Sequence, residues 1–359
     1  MKMTSSFDIH VFGDGLGETI LLEFQNKKFG IVDFGYKNFI TWFDKHIEEA
    51  KIEEIEFLLW THPHDDHTRY LSNLLTYLRD KNIKIKNFFC FPFEKIRQLS
   101  YLIDLGIEPK YDVITNSIDI FSNKVTPKYL TSLYEQISKL KKSGFIAYID
   151  KIKYMSELYD VDVLQKKLSI HCIAPVQDDI DKYKDIFQKV IEKKYPTQDL
   201  YPDSNKHNII STAIHIKFGN SNIILGGDVE KNSWTQIMKN PRSQNHSCCN
   251  LLFLKSPHHG SENAYSEENW DNWGNDFHTA ITPYNKSNLP TINGLENLLK
   301  HTTKIYILKD SHKNLLLGEE SQFATSGIKQ QEDITTSDKV TSHIKFTIFE
   351  TGEITHTWL

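Results

Sequence analysis

Cysteine is scarce, with four in 359 residues (Cys90, Cys172, Cys248 and Cys249), and no C-x-x-C spacing occurs. That excludes a disulfide framework and fits a reduced, intracellular setting. Long apolar runs are missing too. None approaches the ~20 residues that a membrane-spanning helix needs. The opening stretch MKMTSSFDIHVFG lacks the apolar core of a signal peptide. The expectation is a soluble, cytoplasmic protein that does not engage a membrane. There is no basic surplus either: 42 Lys and Arg stand against 47 Asp and Glu, a net charge of −5. A surface coated for sequence-blind nucleic-acid binding is therefore excluded, although a local basic groove is not. No internal repeat of useful length occurs.

The patterning that remains is that of an α/β chain. Residues 7–12 and 18–24 read as strands around a glycine-rich turn, Gly13 to Gly17, and 29–35 as a third, making an antiparallel meander. A phosphate cradle would need a helix at the right spacing after that turn, and none follows. Phe39, Trp42, Phe43 and Ile47 repeat at helical spacing over 38–50. EIEFLLW (54–60) is a strand, a helix follows from Arg69, and 84–91 is another strand. Residues 94–165 read as mostly helical and Lys-rich, and 166–175 as strand, so 94–205 is expected to be a largely helical insertion within one domain spanning 1–359. Residues 210–218 and 222–227 form a hairpin. Strands at 250–255, 278–283 and 304–308, with helices at 231–239 and 291–301 between them, lead to a closing hairpin at 343–359.

The chemistry gathers at strand ends. Phe57 to Trp60 runs straight into Thr61-His62-Pro63-His64-Asp65-Asp66-His67. Two later strands end in Asp228 and in His258-His259. Imidazole and carboxylate in this mixture suit zinc, and two ions a few Å apart share bridging ligands. His62 and His64 are candidates for one ion, Asp66 and His67 for a second. An Asp at a strand end, as Asp228 is, can bridge the pair.

The H-x-H-x-D-H motif at 62–67, followed by a distant Gly-Asp and a distant His, resembles the signature of the metallo-β-lactamase fold superfamily. FGDGLGETILLEF, IVDFG, LGGDVE, LKSPHHGSEN and IKFTIFETGEI are most similar to the nuclease-like domain of ComEC/Rec2 competence proteins and its stand-alone relatives. The resemblance covers nearly the whole chain apart from 94–205. It implies a four-layer αββα sandwich and two divalent ions, Zn²⁺ or alternatively Mn²⁺. It also implies a hydrolase in which Asp66 orients a metal-activated water. The superfamily's usual third histidine for the first metal falls at His207, with Asn208 a competing choice. For the second metal His259 is preferred, because it precedes Gly260. His258 is then a substrate contact or the acid for the leaving group, although the two histidines can be exchanged. Ser261 is either an oxyanion contact or a turn hydroxyl.

A phosphodiester, including nucleic acid, is the expected substrate. The alternatives are a small ester, thioester or cyclic nucleotide, or a catalytically weak subunit of a larger, defence-related assembly beside a partner such as an ATPase. Trp270 and Trp273 are candidates either for stacking on a base or for loop packing. Lys139, Lys141, Lys142, Lys193 and Lys194 are read as solvated faces before any nucleic-acid path. Cys248 and Cys249 with His246 make a poor metal trio, since adjacent side chains on a strand diverge. His10, His46, His215, His278, His301, His312, His343 and His356 have no partner spacing and read as structural or surface residues.

Overall fold

The computed structural model describes residues 5–48, 51–91, 127–163, 166–192, 205–239, 250–308, 334–336 and 342–359. Among these, two eight-stranded mixed sheets face each other. The first holds β1 (Ser6–Gly13), β2 (Glu18–Phe24), β3 (Lys28–Val32), β4 (Glu54–Trp60), β5 (Lys84–Cys90) and β6 (Ile146–Lys151), with β15 (His343–Phe349) and β16 (Ile354–Trp358) added beyond β1. The second holds β7 (Glu157–Val163), β8 (Lys166–Ala174), β9 (Ala213–Phe218), β10 (Ser221–Leu225), β11 (Leu251–Lys255), β12 (His278–Ile281), β13 (Ile305–Ile307) and β14 (Ile334–Thr336).

Period-two alternation decides which side chains meet. Ile9, Val11, Ile20, Leu22, Phe57 and Leu59 point inward against Ile170, Ile214, Ile216, Ile223, Leu225 and Phe253 of the other sheet. The alternate residues Phe12, Leu21, Ile31, Leu58 and Trp60 face outward, under helices α1 (Phe39–Ile47), α3 (Leu71–Asp80) and α4 (Pro127–Lys142). Buried Phe39, Phe43 and Ile47 lie four residues apart on α1, and Leu71, Leu74, Leu75 and Leu78 line α3. On the far side, α6 (Lys231–Lys239), α7 (Glu267–Trp273) and α8 (Ile292–Leu299) cover the second sheet through Trp234, Trp270, Trp273, Leu295 and Leu298. The result is the helix–sheet–sheet–helix sandwich that the resemblance implied. β4 is apolar on both faces because both faces are covered, the usual state of a strand with parallel neighbours.

The segment read as a largely helical insertion differs from that reading. Its described residues hold α4 and α5 (Gln177–Ile191), but also β6, β7 and β8, which are members of the two sheets. β6 is buried only at Ile146 and leaves Tyr148 and Ile149 exposed, so no alternation of apolar and polar residues marks it in the sequence.

Candidate metal centre

Both sheets change from antiparallel to parallel pairing partway across, at β3–β4 in the first and β10–β11 in the second. The functional side chains all stand just beyond the carboxyl ends of these inner strands, where α/β sheets open a crevice. After β4 the chain crosses Thr61–His64 and turns once as α2 (Asp65–Thr68). This turn is clamped from below: Phe34 N–H donates to His67 O at 2.9 Å, and the Trp60 indole donates to Thr68 Oγ1 at 2.9 Å. Gly35 lies so close beneath that an added Cβ would sit 1.5 Å from Asp66 O, and one on Gly17 would sit 2.8 Å from it. The glycine-rich turn thus makes room for the ligand loop; it does not cradle a phosphate.

Two donor groups result. Asp66, His67, Asp228 and His259 each offer one ligand atom, all within 4.8 Å of one another, and His62, His64 and Asp228 do the same. Asp228 belongs to both. Its Oδ1 lies 3.4 Å from His67 Nε2 and 3.8 Å from His259 Nε2; its Oδ2 lies 3.4 Å from His62 Nε2 and 3.7 Å from His64 Nδ1. Ligands on a tetrahedral ion with bonds of about 2.0–2.1 Å stand about 3.3–3.4 Å apart. Most of these separations, and the 3.6 Å between His67 Nε2 and Asp66 Oδ2, are close to that edge length. His259 Nε2 to Asp66 Oδ2 is tighter, at 2.8 Å. The Nε2 atoms of His62, His67 and His259 are buried and make no hydrogen bond. Three bare imidazole nitrogens converging on buried carboxylates are costly unless a cation sits among them. The donor set therefore fits divalent metal, with Asp228 common to the two groups that would hold it.

The opposite edge of each ring is held. Asp33 Oδ2 lies 2.7 Å from His67 Nδ1, and Asp33 also accepts from Thr61 N–H at 2.8 Å and Thr61 Oγ1 at 2.7 Å. His259 Nδ1 lies 2.8 Å from Thr282 O, which can only accept, so the proton sits on Nδ1 and Nε2 is presented bare. Glu18 sits beneath His259, held by Thr282 Oγ1 and by Lys255 Nζ at 2.7 Å. Burial would raise the Glu18 carboxyl, but Lys255 and then His259 outweigh it and hold it at about 2. Burial likewise opposes charge on His67 and His259. The Asp228 carboxylate, with Asp66 and other acids behind it, overrides this and lifts both rings above the usual histidine range. His62 is pushed down to about 3, by burial and then by His67. Burial disfavours the Asp66 anion, yet His67 and His259 keep its carboxyl well below the usual range.

Of the residues singled out in the sequence, His62, His64, Asp66, His67, Asp228 and His259 come together. His207 stands beside them, its ring centroid 5.8 Å from that of His64 and its Nδ1 2.9 Å from the Tyr183 hydroxyl, but it is not within either compact donor group. His258 belongs to neither donor group. Its Nε2 lies 3.4 Å from Asn208 Nδ2, and its Nδ1 lies 3.7 Å from Glu230 Oε1. Both histidines take left-handed backbone angles, φ 47° at His258 and 54° at His259, an uncommon state for side-chain-bearing residues that sends the two rings apart. Ser261 accepts from Asn263 N–H at 3.3 Å, the turn-hydroxyl role. Trp270 and Trp273 are buried against Trp234 and Phe277, so they pack and do not stack at a site mouth. Lys139, Lys141 and Lys142 are exposed on α4. Lys193, Lys194, His246, Cys248, Cys249 and His312 lie outside the described residues.

Reading along the chain missed Glu18 of β2, Lys255 of β11 and Thr282 just past β12, which are isolated residues of distant segments. It also missed Tyr284, whose ring stacks on His259 at 5.4 Å. Asp65 was part of the motif, but its partners Arg69 and Lys286 were not foreseen.

No family model matches the chain, and no curated protein matches it either. Solved structures give distant likenesses. One is the metallo-β-lactamase fold protein YhfI from Bacillus subtilis, at 10% identity over 84% of this chain and 97% of that one, TM-score 0.41. Another is a diphosphatase from the PhnP family, at 10% identity over 86% and 96%, TM-score 0.39. A third is Zn²⁺-bound PqqB from Methylobacterium extorquens, at 9% identity over 84% and 98%, TM-score 0.38. Likenesses this remote transfer no activity and no residue role. Among the described residues, no helix is long and apolar enough to cross a membrane.

Proposed function

We propose that this protein is a phosphodiesterase of nuclease type that depends on two divalent metal ions, Zn²⁺ or Mn²⁺. The observation that carries the reading is Asp228, whose two carboxylate oxygens face two separate donor groups. When bound, two such ions supply Lewis acidity toward a phosphoryl oxygen and bring the pKa of a water near neutrality. The chain's own residues do the rest. Asp66, fully buried and ionised, accepts a hydrogen bond from the attacking water and aims it. Asp33 fixes the His67 ring, and Thr282 over Glu18 and Lys255 fixes His259, so the ligand atoms need no reorganisation. His258, beside Asn208 and Glu230, is the candidate acid for the leaving group. Burial lowers its proton affinity, and Asp228 and Glu230 offset part of that, so the ring passes a proton to the departing alkoxide.

An anionic substrate is favoured by the rim. Arg69 and Lys286 share the single buried carboxylate of Asp65, which leaves a surplus positive charge next to Asp66. The likeness of LGGDVE and LKSPHHGSEN to the ComEC/Rec2 group points to DNA or RNA within the diester class. The test is a parallel panel of single- and double-stranded nucleic acid, a small chromogenic phosphodiester, a cyclic nucleotide, a thioester and a lactone, each with Zn²⁺ or Mn²⁺ added. Diester cleavage is expected, and the double variant Asp66→Ala/His67→Ala should abolish it. Turnover of the thioester or lactone alone would overturn the assignment, and so would undiminished cleavage by the double variant.

A further inference from the structure

On the outer face of the first sheet, away from the strand ends that carry the metal centre, three histidines far apart in sequence meet one glutamate. The sheet register puts them there. His10 of β1 pairs directly with Leu21 of β2, which places Glu23 diagonally beside it on the same face. On its other flank His10 pairs with Lys345 of β15, and His343 takes the corresponding diagonal position. α1 crosses above and lowers His46 onto the group, with Trp42 one turn earlier stacked on the His46 ring at 4.4 Å. The donor atoms of His10, Glu23 and His46 all lie within 4.8 Å of one another.

We propose that His10, Glu23 and His46 form a separate zinc site, with His343 as the residue that orients His10. Glu23 Oε2 lies 3.4 Å from His10 Nε2 and 2.7 Å from His46 Nε2, while its other oxygen is held by Lys27 Nζ at 2.8 Å. A hydrogen bond explains the His46–Glu23 contact without any metal. It does not explain His10. That side chain is 1% exposed, its Nε2 makes no hydrogen bond, and it aims at Glu23. His10 Nδ1 lies 2.9 Å from His343 Nε2, a bond that takes one proton between two rings. When His10 is the donor in that bond, its Nε2 carries a lone pair toward the carboxylate, an arrangement that a cation stabilises and its absence penalises. Two imidazoles and one carboxylate with a fourth position open to water are an established zinc donor set. Exposure rises from His10 through Glu23 to His46, at 1%, 12% and 25% of the side chain, which gives a path from solvent. A bound ion would tie α1 to β1 and β2.

The test uses the full chain, stripped with a chelator and dialysed against buffered Zn²⁺, with elemental analysis of the protein. His46→Ala and Glu23→Gln alter residues that reach solvent, and circular dichroism checks that both remain folded. Each should hold one zinc equivalent per chain fewer than the parent. The Asp66→Ala/His67→Ala variant should keep that equivalent, and titrating it with Co²⁺ should give the visible absorption of a tetrahedral complex that adding His46→Ala removes. Equal zinc content in the parent, His46→Ala and Glu23→Gln would overturn the site and leave the cluster as a hydrogen-bonded brace for α1. Because this readout is metal content, it stands or falls independently of the phosphodiesterase assignment.

Discussion

Asp33→Asn is the sharpest probe of the metal centre, because it changes one atom's chemistry and almost no volume. Asp33 serves three donors: Thr61 N–H, the Thr61 hydroxyl and His67 Nδ1–H. An asparagine that keeps its oxygen on Thr61 N–H turns its NH₂ toward His67. The imidazole then has to accept at Nδ1, so its proton moves to Nε2, the atom that faces Asp66 and Asp228. An asparagine flipped the other way leaves Thr61 N–H facing a donor, a buried mismatch that costs about 1–3 kcal/mol. Either outcome weakens the second ion. Changes to groups that orient a metal-bound histidine cost roughly 10- to 100-fold in affinity, or about 1.4–2.7 kcal/mol. Competition with a chromophoric chelator measures this ion by ion. On the proposed two-metal reading, the expected result is that the ion at Asp66, His67 and His259 weakens by that factor, while the ion at His62 and His64 keeps its affinity. Parent-like binding of both ions by a folded Asp33→Asn would refute the argument that Asp33 fixes the His67 tautomer.

Three further tests bear on the same centre. Gly35→Ala should remove metal binding with its fold retained in the far-ultraviolet dichroism, because the new methyl would drive into Asp66 O and displace the ligand turn; normal metal content in this variant would refute the close approach. Metal loading should release protons. The metal-free rings of His67 and His259 are raised above their ordinary value of about 6.5, so an ion competes with protons for their Nε2 atoms, and apparent affinity should climb as pH rises through those raised values. Isothermal titration in two buffers of different ionisation enthalpy measures the release, and identical heats in both would contradict it. His207→Ala should weaken the ion at His62 and His64 and leave its neighbour unchanged, read by the same chelator competition; no change would place His207 outside the coordination sphere.

How far the sequence reaches depends on whether a signal is local. β4 is legible to the residue, since seven residues from Glu54 to Trp60 end in the histidine motif. The opening meander and the β9–β10 hairpin read almost as cleanly from alternation and turn residues. Asp228 and His259 were visible as ligand types at strand ends. The parts that were not legible come from register between distant segments. Lys255 looks like an ordinary strand-end lysine, and only the facing sheet shows that it is buried against Glu18. His10, His46 and His343 carry no common spacing, because their proximity is set by β15 pairing with β1 and by α1 folding back. Between 94 and 205 β6 lacks the alternation of apolar and polar residues that would mark its sheet membership. Trp270 and Trp273 drew attention by following His258 and His259 closely, yet α7 turns both rings into the core.

The hairpin of β15 and β16 has a bearing on how the chain is made. One whole edge of β1 pairs with residues 343–349, which are made more than 300 residues later. Until those residues are made, that edge has its backbone donors and acceptors unpaired, next to the apolar inward residues Phe7, Ile9 and Val11. Such an edge recruits strands from neighbouring chains. The nascent protein therefore carries an aggregation hazard at β1 that ends only when β15 arrives. Any premature stop before residue 343 would leave a chain with its ligand motif intact and an open β1 edge.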